Sequence, residues 1–261
     1  MDNPARGLDH GAMDINQLIM IGGVFLAAGV VKGVSGMGLP TLAMALLGLF
    51  MPPAAAAALM VLPALVTNLA QCLGPHWRML VRRLWPLWLG LAGATLLSPL
   101  PALGAPGPAA RVALGAVLAG YGLWGLAKPV LPDLGRHACA AGGAAGLLTG
   151  ALTAATGVFV MPMVPLLQSL RLTKEAFIQA LGLSFTVATL ALALRLGSAG
   201  AAQLPLGLAG VWLPMVAALL GLRLGAALRL RLPPALFQRA LYGVFLLLGL
   251  VMLGRSLQAG S

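Results

Sequence analysis

Two apolar stretches of this 261-residue chain, 18–50 and 138–167, are too long to cross a lipid bilayer once and too interrupted to form one straight helix. As continuous helices they would reach about 50 Å and about 45 Å, against a hydrocarbon core of about 30 Å. Six further apolar segments, at 54–74, 86–103, 109–127, 175–197, 206–222 and 236–254, have roughly the length of single spans. Loops between them are too short to fold alone, so the chain reads as one all-α polytopic membrane domain.

Composition agrees. Hydrophobic residues make up 60% of the chain and charged residues 8%, against about 25% charged in soluble domains. The net charge of +11 comes from 16 Lys and Arg scattered in small groups, with no basic face or aromatic platform, so no nucleic-acid partner is expected. Cys72 and Cys139 imply neither a disulfide framework nor a metal cluster. The first 17 residues hold three acids and one Arg and lack the features of a signal peptide, so the first apolar stretch is expected to stay in the mature protein.

Placing the basic loops in the cytoplasm puts eleven cations inside: Arg78, Arg82, Arg83, Lys128, Arg136, Arg171, Lys174, Arg223, Arg229, Arg231 and Arg239. Arg6, Arg111, Arg195 and Arg255 remain outside. This closes only if 18–50 and 138–167 each begin and end on one side, as hairpins or re-entrant pairs, while the other six segments cross once. The predicted division is a polar segment at 1–17, a first repeat at 18–128, a cytoplasmic linker at 129–137 and a second repeat at 138–255. The two repeats have inverted topology, each with a broken hairpin plus three crossings, and both termini are periplasmic.

The residues carry traces of the duplication. Gly29-x-x-x-Gly33 recurs as Gly146-x-x-x-Gly150, 117 positions later, and the span at 52–71 aligns with 173–192. Lys32 then matches Thr149, Pro63 matches Ser184, and Asn68 matches Thr189. Paired Gly/Pro-interrupted segments point to a transporter's binding site, since broken helices expose backbone groups near the bilayer midplane. Gly33, Pro40, Gly150, Gly157 and Pro162 are the candidate helix-break residues. A helix starting near Gly36 to Thr41 would aim free N–H groups and a partial positive charge at an anion. Lys32 adds a full charge, and an intramembrane cation is a functional hypothesis by default. The candidate substrate-binding set is Lys32, Ser35, Gly36, Gly38, Thr41, Asn68, Gln71, Thr149, Thr153, Thr156, Ser184 and Thr189, with Thr67 and Thr186 beside it. The structural alternatives are a snorkelling Lys32, Thr hydroxyls bonded to the preceding helical turn, and polar contacts between helices. Arg195 either attracts anions near the outer surface or snorkels at its helix end.

Two stretches, "GVVKGVSGMGLPTLAMALLGLFMPPAAAAALMVLPALVTNLAQ" and "GLLTGALTAATGVFVMPMVPLLQSLRLTKEAFIQALGLSFTVATLAL", carry a resemblance to the TauE/SafE family of sulfite exporters. Gly29, Gly33, Gly36 and Gly38 match the family's first glycine pattern, where Leu39 and Pro40 replace its last two glycines. Gly146, Gly150 and Pro162 match in the second repeat, with Thr153 and Ala155 in place of later glycines. The resemblance implies a secondary permease of the bacterial inner membrane that moves sulfite, a sulfonate or a related anion, with export the expected direction. A small carboxylate or other organic anion is the alternative substrate, and a non-transporting membrane scaffold the alternative role.

No enzyme is expected. His10, His76 and His137 lie far apart in predicted loops, and neither a nucleophile–base set nor a nucleotide-binding fingerprint occurs. No cofactor is expected. The predicted partners are a small anion and the lipid bilayer; a coupling proton or counter-ion is left open, because Glu175 and Asp133, the only acids past the N-terminal segment, are shallow. The sequence leaves the oligomeric state undetermined.

Overall fold

A computed structural model of the chain describes residues 15–100, 103, 109–127, 129, 134–198 and 208–258. Arg6, His10, Lys128 and Asp133, with most of the predicted 1–17 segment and part of the 129–137 linker, lie outside the described residues. Among those described, ten α-helices and one 3-10 turn, Gly135–His137, account for the regular structure. They are α1 Ile15–Ser35, α2 Leu39–Leu47, α3 Pro53–Cys72, α4 Trp77–Leu97, α5 Ala109–Ala127, α6 Ala138–Thr156, α7 Met163–Ser169, α8 Lys174–Ser198, α9 Leu208–Leu228 and α10 Pro234–Gln258. Seven of them are long and apolar enough to cross a membrane. The chain is a multi-pass membrane protein.

Both overlong stretches are broken. α1 stops at Ser35, and Gly36 and Gly38 take φ of 79° and 99° before Pro40 enters the first turn of α2. A side chain would be strained at those angles, and proline fits a first turn because its missing N–H has no helical partner there. α6 stops at Thr156, Gly157 takes φ of 71°, and α7 follows Pro162. The arms are unequal, however. α1 has 21 residues, about 31 Å, against nine, about 13 Å, in α2. α6 has 19 residues and α7 seven. Each interrupted stretch is therefore a membrane-length helix followed by a short half-helix.

The expected break at Gly33 and Gly150 is corrected, because both lie inside continuous helix. They serve close packing instead. A Cβ on Gly29 or Gly33 would run into the Ala218 and Leu222 carbonyls of α9, and one on Gly146 or Gly150 into the Leu87 and Leu91 carbonyls of α4. The fit is reciprocal, since Gly221 and Gly225 press on Leu26 and Val30 while Gly90 presses on Gly143. Small residues let membrane helices approach until their backbones touch. The main pairings are α1 with α9, α4 with α6, α5 with α10 and α3 with α8. Each joins the first half of the chain to the second.

Another boundary moves. The segment expected at 86–103 is α4, which starts at Trp77, so Arg78, Arg82 and Arg83 stand on helix and Pro86 lies within it. Arg78 lies over the Trp77 ring, 5.2 Å from its centroid, as long cationic side chains can do while their stems cover apolar surface. The half-helices sit at the centre: all of α2 except Leu46 is buried, as is most of α7, around Phe25, Met44, Met60, Phe159 and Phe185. Large apolar residues such as Leu89, Trp212, Leu220 and Leu247 face outward, where lipid replaces water.

Candidate functional site

Lys32 lies three residues before the end of α1 and is 1% exposed. Its ammonium donates to Thr67 Oγ1 at 3.1 Å and to Asn68 Oδ1, both on α3. Both partners are uncharged, so the cation is buried without a counter-charge at hydrogen-bond distance. Thr67 Oγ1 donates in turn to the Pro63 carbonyl at 2.7 Å, which aims its lone pairs at Lys32. One turn along α3, Gln71 Nε2 donates to the Gly36 carbonyl at 2.7 Å and pins the α1–α2 break to the same helix.

Four buried side-chain atoms among the described residues find no hydrogen-bond partner: Thr41 Oγ1, Asn68 Nδ2, Gln71 Oε1 and Thr149 Oγ1. Each belongs to a residue of the candidate set. An unpaired buried polar group costs about 1–3 kcal/mol, so such groups need a reason to persist. Thr41 lies in the first turn of α2, just past Gly38, and Thr149 directly precedes Gly150 on α6 as Lys32 precedes Gly33 on α1, but seven residues before the end of its helix rather than three. Lys32, Thr67 and Asn68 form one bonded cluster, and Gln71 joins it through Gly36. Thr41 and Thr149 stand unbonded to it.

The other hydroxyls are used internally. Ser35 Oγ donates to the Val31 and Met37 carbonyls at 2.8 and 2.7 Å and closes the end of α1. Thr153 donates to Thr149 O and Thr156 to Leu152 O, each at 2.7 Å, while Thr156 Oγ1 also accepts from Val158 N. Thr186 and Thr189 donate back to Gly182 and Phe185. A hydroxyl that has spent its proton presents only lone pairs, the wrong polarity for an anion. Ser184 accepts from Trp88 Nε1 at 2.9 Å. Its own proton is free of that bond.

Arg195 is half-buried and donates to the Thr95, Ser98 and Leu100 carbonyls at 3.0 to 3.3 Å. It caps the end of α4 from α8. Gln179, which carries no sequence signal of a bridging role, donates to the Cys72 and Gly74 carbonyls and accepts from His76 N, all at 3.0 Å, tying the α3–α4 turn to α8. Tyr121, likewise without a sequence signal, brings its hydroxyl to Met37 Sδ at 3.6 Å beside the first break. Among the described residues no group of His, Cys, Asp and Glu is placed to hold a metal.

Beside the break a cavity of about 490 Å³ opens, with Ser35 and Met37 on one wall and Arg171, Lys174 and Arg229 around it. A smaller one of about 300 Å³ adjoins through Gln168 and Gln238 and includes Trp124, Arg239 and Tyr242.

A comparison with protein-family models matches residues 21–252 to the family described as Sulfite exporter TauE/SafE. Neither the curated proteins nor the solved structures contain a match. The family match runs from the second turn of α1 to the last turns of α10, across both helix breaks and the Lys32 cluster, and on that extent the chain belongs to the TauE/SafE sulfite exporter family.

Proposed function

We propose that the protein is a secondary permease that carries a small sulfur-containing anion, sulfite or a sulfonate, across the bacterial inner membrane, and that Lys32 and its neighbours bind it. The observation that carries this reading is a buried cation with uncharged partners in a protein whose unpartnered buried groups include three potential donors: Thr41 Oγ1, Asn68 Nδ2 and Thr149 Oγ1. An oxyanion stripped of water needs such donors and a positive field. Unfilled, three orphaned donors cost on the order of 3–9 kcal/mol in all. An anion that bonded them would recover part of that cost.

Two inverted halves with alternating access between them complete the proposal. Laid in order on α6–α10, helices α1–α5 carry the α1/α9 pair onto α6/α4, and the carbonyls met by Gly29 and Gly33 onto those met by Gly146 and Gly150. That correspondence supports one packing unit used twice, rocking about the central half-helices. Export, rather than import, is the proposed direction, and the family's description supports it. Lys32, Asn68 and Thr149 offer no feature selecting sulfur over carbon, so a small carboxylate is the competing substrate.

Flux of sulfite, thiosulfate, taurine, sulfoacetate and acetate into and out of proteoliposomes tests the proposal. Saturable movement of a sulfur anion above protein-free vesicles is expected. Movement of acetate alone would remove the sulfur assignment, and movement of none would favour a scaffold.

A further inference from the structure

The basic cavity beside the first helix break is larger than an inorganic oxyanion needs. At about 30 Å³ per water, 490 Å³ corresponds to about 16 waters, whereas sulfite displaces only a few. Its walls combine Arg171, Lys174 and Arg229 with apolar surface from Leu172, Phe177 and Phe237, and no carboxylate among the described residues lines it. Glu175 follows Lys174 in the first turn of α8 but lies outside the lining.

Arg171 gives a second, independent reason to single out this cavity. It follows α7 with φ of 49°, the single non-glycine residue with positive φ among those described, and its N–H bonds the Gln168 carbonyl as a helix-terminating residue does. Glycine or asparagine fits that left-handed position with less strain. A long cationic side chain there is conformationally costly, and strain of this kind persists where a side chain is needed. Arg171 forms part of the cavity wall.

We infer that this cavity is a second anion site, separate from the Lys32 cluster, and that it takes an amphiphilic monoanion: a charged head, sulfonate or carboxylate alike, on an apolar ring or short tail. The three cations recognise charge without regard to the head's central atom, and the Phe177 and Phe237 surfaces take the apolar body. Ser35 and Met37 form the wall nearest the α1–α2 break, so an occupant would obstruct the approach to the buried cluster from this side. That obstructing role rests on the permease reading, whereas the binding itself does not.

The test uses benzenesulfonate and benzoate, titrated calorimetrically into the full chain in phosphatidylcholine nanodiscs, with empty nanodiscs as blank and sulfite flux measured in parallel. Both aromatic anions should bind, and Arg171→Gly, which relaxes the backbone and so should fold, is expected to weaken both at least tenfold while sulfite flux in their absence stays within twofold. Lys32→Met should have the opposite pattern. Unchanged affinity in Arg171→Gly and in the double variant Arg171→Gly/Arg229→Gln would overturn the site. Loss of binding in phosphatidylglycerol nanodiscs would assign the cations to a lipid headgroup and overturn it too. Sulfite flux without aromatic-anion binding would leave the permease standing and the second site refuted. Arg171-dependent binding without flux of any sulfur anion would do the reverse.

Discussion

Replacing Lys32 with methionine separates a binding role from a structural one, because the two make opposite demands on stability. An ammonium and an oxyanion in contact at about 4 Å attract by about 4 kcal/mol at an effective dielectric constant of 20. Since Lys32 already directs two of its three protons to Thr67 and Asn68, we expect about 2–4 kcal/mol of that attraction to be lost. At 1.36 kcal/mol per decade this weakens anion binding by about 30- to about 900-fold. Stability responds differently. On insertion scales a cation costs at most about 2.5–3.5 kcal/mol, the value for the bilayer centre, and Lys32 lies three residues from the end of α1, while removing it strands Asn68 Oδ1 at about 1–3 kcal/mol. The terms nearly cancel, so the melting temperature should move by no more than a few degrees. Sulfite-dependent thermal shift and initial flux, measured on purified Lys32→Met and wild type at equal protein load, read both quantities. Unchanged flux and shift would refute the electrostatic role, and a protein that no longer folds would show that Lys32 holds α1 to α3.

Other residues yield sharp contrasts. Thr149→Val removes an orphaned hydroxyl and should weaken anion binding several-fold with the melting temperature held or raised, whereas Thr153→Val, whose hydroxyl is spent on Thr149 O, should leave affinity within twofold. Gly33→Val and Gly150→Val push side chains into the Leu222 and Leu91 carbonyls; each should cost about 1–3 kcal/mol or more, and thermal melts that differ widely between them would count against equivalent halves. Arg195→Gln should lower the melting temperature through loss of charged bonds to the end of α4, each worth about 1.5–3 kcal/mol before solvent screening, with sulfite affinity unchanged. A change in affinity there would return Arg195 to the anion path.

Much of this protein was legible from its chain because the bilayer removes alternatives. Apolar runs longer than the hydrocarbon core had to break, and glycines and prolines suggested where: Pro40, Gly157 and Pro162 could be named before any coordinates, whereas Gly33 and Gly150, named with them, lie inside continuous helix. Lys32 stood out for the same reason, as a charge where solvent is absent. Which hydroxyls stay free was not legible. Thr149 and Thr153 look alike in sequence, and only the packed structure leaves one orphaned and the other bonded to the turn before it. The same limit hid the packing role of Gly33 and Gly150, the capping role of Arg195 and the bridge made by Gln179, since their partners lie about 100 positions away or more in most cases and carry no shared local pattern. Sequence by itself determined that both overlong stretches must leave the helix and that a charge must be buried in the first, because those follow from local chain chemistry and the solvent. Tertiary structure alone decided which polar groups remain unpaired, because pairing depends on what the rest of the chain brings within about 3 Å.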